Sequence, residues 1–147
     1  MNYSETNVTE PSTVLSDLCC ADADRVKQRI ERLLPMLGEI IVIKNRTGIM
    51  MLPAIDSVEG TRFHVGEVLV AEAHVRLATP QVDGCAVCVG RDLQQALAIA
   101  IADACLRAGV FVEEIRSFAR AEAELRHAED RELLARVAAT RVEMETF

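Results

Sequence analysis

Gly90, Arg91 and Asp92 have the clearest potential for chemistry, because they stand between a predicted strand and a predicted helix. An arginine fork donates two parallel hydrogen bonds to a phosphate or a carboxylate. The free backbone N–H groups at the start of a helix also favour an anion. These residue types predict an anion contact at the corner. The alternative is structural: the glycine makes the turn, the aspartate caps the helix, and the arginine pairs with a nearby carboxylate.

A second group of polar side chains lies on or beside one long predicted strand. Its members are Arg62, His64, Glu67, His74 and Arg76. Mixed histidine, glutamate and arginine side chains can build a polar site, and Gly66 is a candidate β-bulge that would re-aim them. The separation of the two histidines matches no metal-binding motif, so no metal site is predicted. A partly exposed strand face is the simpler interpretation. One hypothesis is a direct anion contact through Arg91, with Arg76 nearby.

The five cysteines do not form a recognisable framework. Cys85 and Cys88 have the spacing of half a zinc knuckle, but a second pair at suitable spacing is missing. In a strand, residues i and i+3 point to opposite faces. We therefore expect small, buried, reduced cysteines in a cytoplasmic protein, since neither a signal peptide nor a membrane-spanning run is recognisable.

The charge and the aromatic content exclude two classes of partner. The formal net charge is −7, which disfavours binding to nucleic acid and to anionic membranes. The chain has four Phe, one Tyr and no Trp, so it offers few platforms on which bases could stack. The sequence therefore predicts no nucleic-acid partner and no membrane partner.

Hydrophobic spacing and turn signals predict the elements that position these residues. Residues 1–11 are expected to be disordered, and residues 12–147 to form one α+β domain. A first helix should begin near Pro11 and run to Cys19 or Cys20. A second should run from Ala23 to Leu34 with Asp22 as its N-cap.

The middle of the chain predicts a small antiparallel sheet of about four strands. The predicted strands are residues 39–44, 49–55, 68–77 and 85–89. The first two would form a hairpin around a turn at residues 45–48. Pro53 favours an edge position, since proline cannot donate a backbone hydrogen bond.

The helix after the corner is unusually apolar. Between Leu93 and Leu106 its polar side chains are Gln94, Gln95 and Asp103. One sheet can cover one face of such a helix, so another helix or another chain must cover the rest. The last segment, residues 112–147, predicts one or two amphipathic helices. Together these features favour a subunit of a larger assembly.

Short motifs stand in a fixed order between about Val14 and Phe147. They are Arg62-Phe63, Gly66-Glu67, Ala73 with Val75-Arg76-Leu77, Asp83-Gly84, Gly90-Arg91-Asp92, Gln94, Ala96, Asp103-Ala104 and Arg141-Val142-Glu143. In this order and spacing they resemble the PhnG family, the G subunit of the bacterial carbon–phosphorus lyase system. Gln95 and Ala98 stand where more polar residues are expected, and Glu72 where a basic residue is common.

The resemblance implies a cytoplasmic subunit of a multi-subunit transferase in phosphonate catabolism. Its partners would be the H, I, J and L-type subunits. With H, I and L it would support transfer of a phosphonate to the ribose C1 of ATP with release of adenine (alpha-D-ribose 1-methylphosphonate 5-triphosphate synthase). ATP and the phosphonate are substrates of the complex, while this chain is expected to bind no cofactor and no metal itself.

The resemblance assigns no catalytic residue to this subunit. The candidates for substrate or partner binding are Arg62, Glu67, Arg76, Arg91, Asp92, Asp103 and Arg141. The residues alone leave one alternative open, a free-standing α+β oligomer that binds a small anionic metabolite without catalysis. The isolated chain is therefore also a candidate homo-oligomer.

Overall fold

The structure is a computed structural model that describes residues 11–140. Three helices precede a three-stranded antiparallel sheet, and two helices follow it. The helices are α1 (Pro11–Cys20), α2 (Ala23–Glu31), α3 (Leu34–Leu37), α4 (Leu93–Ala108) and α5 (Val112–Ala139), and the strands are β1 (Ile40–Ile55), β2 (Arg62–Leu77) and β3 (Val82–Val89). The α+β class is thus confirmed. Of residues 1–11, which the sequence predicts to be disordered, residues 1–10 lie outside the described residues, as does Arg141, whereas Pro11 begins α1.

The N-terminal helices agree with the sequence, apart from one boundary. The Asp22 side chain accepts a hydrogen bond from the Arg25 backbone N–H at 2.9 Å, which confirms the predicted cap of α2. This helix ends at Glu31, earlier than predicted. A short turn then leads into α3, where Pro35 occupies the first turn. Proline fits that position because the backbone N–H groups of a first turn have no partner within the helix.

The sheet has three strands in the order β1-β2-β3, so the expectation of about four is slightly wrong. The predicted turn at residues 45–48 does not exist, because β1 runs unbroken from Ile40 to Ile55 beside β2. The chain instead reverses at residues 56–61, where Gly60 has a φ of 70°. Pairing along all of β2 outweighs the local turn propensity of residues 45–48.

The predicted edge position of Pro53 is confirmed, since β1 is an edge strand. The pairing register shifts between Leu52, opposite Gly66, and Pro53, opposite His64. Val65 is therefore the extra residue of a β-bulge. The sequence placed the candidate bulge at Gly66, next to this position.

Helix α4 lies against the inner face of β2 and β3, and helices α1, α2 and α5 complete its surroundings. Gly84 allows the close approach, because a Cβ atom there would stand 2.2 Å from the Ala100 backbone oxygen. The α4 side chains from Ala98 to Cys105 are all buried. Other helices of the same chain therefore cover α4, and no second chain is needed for it.

Helix α5 is one continuous helix of 28 residues, so the described part of the last segment forms one helix rather than two. Its first half packs on the core through Ile115, Ala119 and Ala123. From Leu125 onward the helix carries large apolar side chains that are exposed, namely Leu125, Leu133, Leu134 and Val137. Glu122 and Arg126 do not pair with each other, because they bind Arg25 and Asp17 on the N-terminal helices.

Candidate functional site

The outer face of the sheet, turned away from α4, carries a cluster of three polar residues. Arg76 pairs with Asp83 on the neighbouring strand through both its Nε and its NH2 atoms. The Nε2 atom of His74 lies 2.8 Å from the same carboxylate. The hydrogen bonds from Arg76, and then the bond to His74, hold the pKa of Asp83 well below its usual range. Asp83 is therefore an ion-paired carboxylate at neutral pH.

A second cluster on the same face centres on Glu72. Lys44 and Arg46 on β1 each approach its carboxylate at 3.0 Å. Their hydrogen bonds, that of Lys44 first, lower the pKa of Glu72. Glu72 on β2 thus bridges Lys44 and Arg46 on the edge strand β1.

At the corner formed by Gly90, Arg91 and Asp92, the structural alternative is largely confirmed: the glycine makes the turn and the aspartate caps α4. Gly90 has a φ of 108° and makes the turn. The Asp92 carboxylate caps α4 by accepting from the backbone N–H groups of Gln94 at 3.1 Å and Gln95 at 2.9 Å. It also binds Lys27 at 3.0 Å. The Asp92 carboxylate therefore already accepts hydrogen bonds from the backbone N–H groups that a bound anion would use. The pKa of Asp92 is lowered, first by the hydrogen bond from the Gln95 backbone N–H and then by the one from Lys27.

Arg91 is exposed, and within residues 11–140 it forms no hydrogen bond or ion pair. The predicted pairing of Arg91 with a nearby carboxylate is therefore wrong for the described part of the chain.

Arg76 and Arg91 do not share a site. The β2–β3 register places Arg76 opposite Asp83, whereas Val70, opposite Val89, stands next to the corner. Six residues along a strand correspond to roughly 20 Å. The expectation that Arg76 lies near an anion contact at Arg91 is therefore wrong.

Asp103 sits in the core with 1% of its surface exposed. Its Oδ2 atom accepts a hydrogen bond from the Cys85 backbone N–H at 2.9 Å, and Arg107 covers the carboxylate at 2.9 Å. This aspartate fastens α4 to β3 immediately after Gly84. Gly84 and Asp103, which belong to two of the motifs, therefore both lie at the contact between α4 and β3.

The prediction that the cysteines are buried is confirmed only in part. Cys88 and Cys105 are buried as expected, and burial raises the pKa of Cys105 to about 11. Cys85 is exposed, because it lies on the opposite face of β3 from Cys88. The Sγ atoms of Cys19 and Cys88 lie 3.6 Å apart. Among residues 11–140, no group of three or more His, Cys, Asp or Glu side chains is placed to hold a metal ion.

Among residues 11–140, many of the exposed large apolar side chains lie on a part of the sheet that extends past β3. We call residues 48–69 the β-arm: it comprises the last part of β1, the turn, and the first part of β2, whereas β3 pairs only with residues 70–77. Its exposed large apolar side chains are Ile49, Met50, Met51, Leu52, Ile55, Val58, Phe63, Val65 and Leu69. Arg62 and Glu67 also lie on the β-arm, and both are exposed.

The predicted site residues therefore do not form one constellation. Arg62 and Glu67 lie on the β-arm, Arg76 on the outer face, Arg91 and Asp92 at the corner, and Asp103 in the core. The surface that sequence reasoning missed is the β-arm. Its signal was present, because residues 49–52 read Ile-Met-Met-Leu, but the turn predicted at 45–48 divided the segment.

The three-stranded sheet and the buried helix define a small α+β protein. The chain belongs to the PhnG family, since the family model for "Phosphonate metabolism protein PhnG" matches residues 11–147. A comparison with curated proteins found no match. No helix within residues 11–140 combines the length and the apolar character required to cross a membrane.

Proposed function

We propose that this chain is a cytoplasmic subunit of a carbon–phosphorus lyase complex that contains H, I, J and L-type subunits. With H, I and L it supports the reaction in which a phosphonate oxygen bonds to the ribose C1 of ATP and adenine leaves. The family match over residues 11–147 carries this proposal. The chain binds no cofactor of its own, and ATP and the phosphonate are substrates of the assembled enzyme.

The contacts of the family motifs favour an architectural role for this subunit. Asp83 is held by Arg76, Asp92 caps α4, and Asp103 joins α4 to β3. Each carboxylate is engaged in holding an element of the fold. The groups that transfer protons to and from the reactants then belong to partner subunits.

The exposed apolar surface of the β-arm supports a role within an assembly. Contiguous apolar patches of this kind mark protein–protein contacts, because exposing them to water is unfavourable. A stand-alone binder of a small anion would not require such a surface. This observation favours a chain that works in an assembly over a monomeric binder.

The test is reconstitution of adenine release from ATP and methylphosphonate with the H, I and L-type subunits. Adenine is measured by chromatography, with and without this chain. We expect release to need the chain and to be restored when the purified chain is added back. Full adenine release in its absence would contradict the proposed function.

A further inference from the structure

The β-arm is a two-stranded ribbon that the rest of the chain holds at its base, where the Gly90 backbone N–H donates a hydrogen bond to the Leu69 oxygen at 2.8 Å. In β1, residues 49–55 continue beyond Gly48, which stands opposite Val70, the last β2 residue that pairs with β3; this is a distance of roughly 23 Å. A two-stranded hairpin is marginally stable in water unless a third strand or a packed layer covers it. The β-arm therefore has a length and a position that call for another protein layer.

Both faces of the β-arm are apolar. Paired residues share a face, so Ile49 and Leu69 continue the face that packs on α4 farther along the sheet, while Met50 and Leu52 lie on the other. Ile49 is 68% exposed and Met50 is 44% exposed. Strands that are apolar on both faces are usually covered on both faces. A partner that covers one face alone would leave the other in water.

The ionisable residues of the β-arm lie in its turn and on β2, and its β1 segment carries none; they are Asp56, Glu59, Arg62, His64 and Glu67. Between Thr47 and Ile55 the sequence contains no ionisable residue, so burial of this strand removes no charge from water. The exposed apolar side chains of the β-arm present an area on the order of 800 Å², which is what one partner contributes to a standard-size interface. The surface is therefore large enough for a specific complex.

A second copy of this chain fits the β-arm less well. Each copy has a formal net charge of −7, so two copies repel each other. Two arms packed face to face would cover one apolar face of each and leave the other exposed. Strand addition at the edge is also disfavoured, because Pro53 lacks an N–H group and the register shifts beside it.

We propose that the β-arm is an insertion element that occupies an apolar cleft in another subunit of the complex. The cleft covers the Ile49 face and the Met50 face at the same time. This inference rests on the proposed function for the identity of the partners. It adds the mode of attachment, in which a rigid α+β body presents a ribbon that becomes fully ordered only between two layers of the neighbouring subunit.

The test uses the full chain co-expressed with the H, I and J subunits and recovered through a tag on this chain. Ile49→Lys and Met50→Lys each place a charge on one face of the β-arm. The matched control is Met36→Lys, because Met36 is 59% exposed on α3, near the opposite end of the sheet. We expect each β-arm variant to reduce recovered partner subunits by about tenfold or more, since an unpaired lysine would be buried. The control should match wild type.

The outcomes separate this inference from the proposed function. If the wild-type chain recovers no partner subunit, the proposed function fails. If the wild-type chain and both variants recover partners equally, the insertion is wrong while the subunit role stands. Loss of binding in one variant alone would show that the partner covers only one face of the β-arm. That result would contradict insertion into a cleft. An isolated chain that is a dimer by light scattering, and a monomer in both variants, would identify a second copy as the occupant.

A second measurement guards against variants that fail to fold. A benzophenone amino acid at position 49 or at position 50, in the otherwise unchanged complex, should crosslink to a partner subunit from both positions. Crosslinks from one position only, or from neither, would contradict the insertion. Circular dichroism of each lysine variant shows whether the fold is intact before its recovery is interpreted.

Discussion

The Oδ2 atom of Asp103 lies 2.9 Å from the Cys85 backbone nitrogen, so one buried carboxylate on α4 accepts the hydrogen bond of a β3 amide. Arg107 neutralises the same carboxylate from one turn farther along the helix. The helix and the strand are thus joined by a polar contact inside an otherwise aliphatic core. This contact explains why an aspartate is placed in the most apolar helix of the chain.

Replacing Asp103 with alanine should destabilise the fold. The Cys85 amide would lose its partner in a buried position, which costs about 1–3 kcal/mol of unfolding free energy. Urea unfolding followed by circular dichroism measures the change. Glu113→Ala is the control, because the Glu113 side chain is 91% exposed, and it should alter stability by less than about 0.5 kcal/mol. Equal stability of both variants would show that the Asp103 contact is unimportant.

Replacing Gly84 with alanine should be at least as damaging. The new Cβ atom would stand 2.2 Å from the Ala100 oxygen and 2.4 Å from the Ala104 nitrogen, both backbone atoms of α4. The helix would have to move away from the sheet, at a cost of about 3 kcal/mol. Gly48→Ala is the matched control, since no atom lies within 4 Å of its added Cβ. Thermal unfolding compares the two, and an unchanged melting temperature for Gly84→Ala would refute the close packing of α4 on β3.

The stability of the protein should fall as the pH drops below the ordinary pKa of aspartate, about 3.9. The pKa of Asp83 is lower in the folded state, because Arg76 and His74 bind its ionised form. Above the unfolded pKa this interaction stabilises the fold, and the contribution is lost as the pH falls toward the folded pKa. Asp83→Asn should therefore be less stable than wild type at pH 7, with a shallower decline in acid. Glu59→Gln, in the exposed turn of the β-arm, is the control. If Asp83→Asn shows the wild-type pH profile, the carboxylate does not contribute.

Arg91 is still a candidate for direct contact with substrate. It is exposed at the corner and has no partner among residues 11–140. We expect Arg91→Lys to lower adenine release by the reconstituted complex about tenfold, because lysine keeps the charge but loses the bidentate fork. The stability of the chain should not change. Arg120→Lys, at an exposed position on α5, is the control, and equal turnover of the two variants would exclude an important Arg91 contact.

The helices and their caps could be predicted from the sequence because their signals are local. Asp22 and Asp92 accept hydrogen bonds from backbone amides within three residues of themselves. The apolar spacing of α4 likewise needs no distant information. These features depend on neighbours along the chain, which the sequence displays directly.

The sheet could not be predicted as well, because its pairing depends on distant residues. Residues 45–48 have a turn-like composition, yet they pair with residues 70–73 and remain extended. The ion pair of Arg76 with Asp83 likewise follows from the β2–β3 register. The covering of α4 by three helices depends on how the whole chain packs. An error in one turn thus hid the β-arm, which carries many of the exposed large apolar side chains among residues 11–140.

Hydrogen exchange of the backbone amides, compared between the free chain and the complex, tests the central claim most directly. The claim is that α4 is enclosed by its own chain, whereas the β-arm is exposed in the free chain and is covered by a partner subunit in the complex. The account predicts strong protection of residues 96–105 in both states. For residues 48–55 and 62–69 it predicts fast exchange in the free chain and at least about tenfold slower exchange in the complex. Fast exchange of α4 in the free chain, or unchanged exchange of the β-arm in the complex, would contradict it.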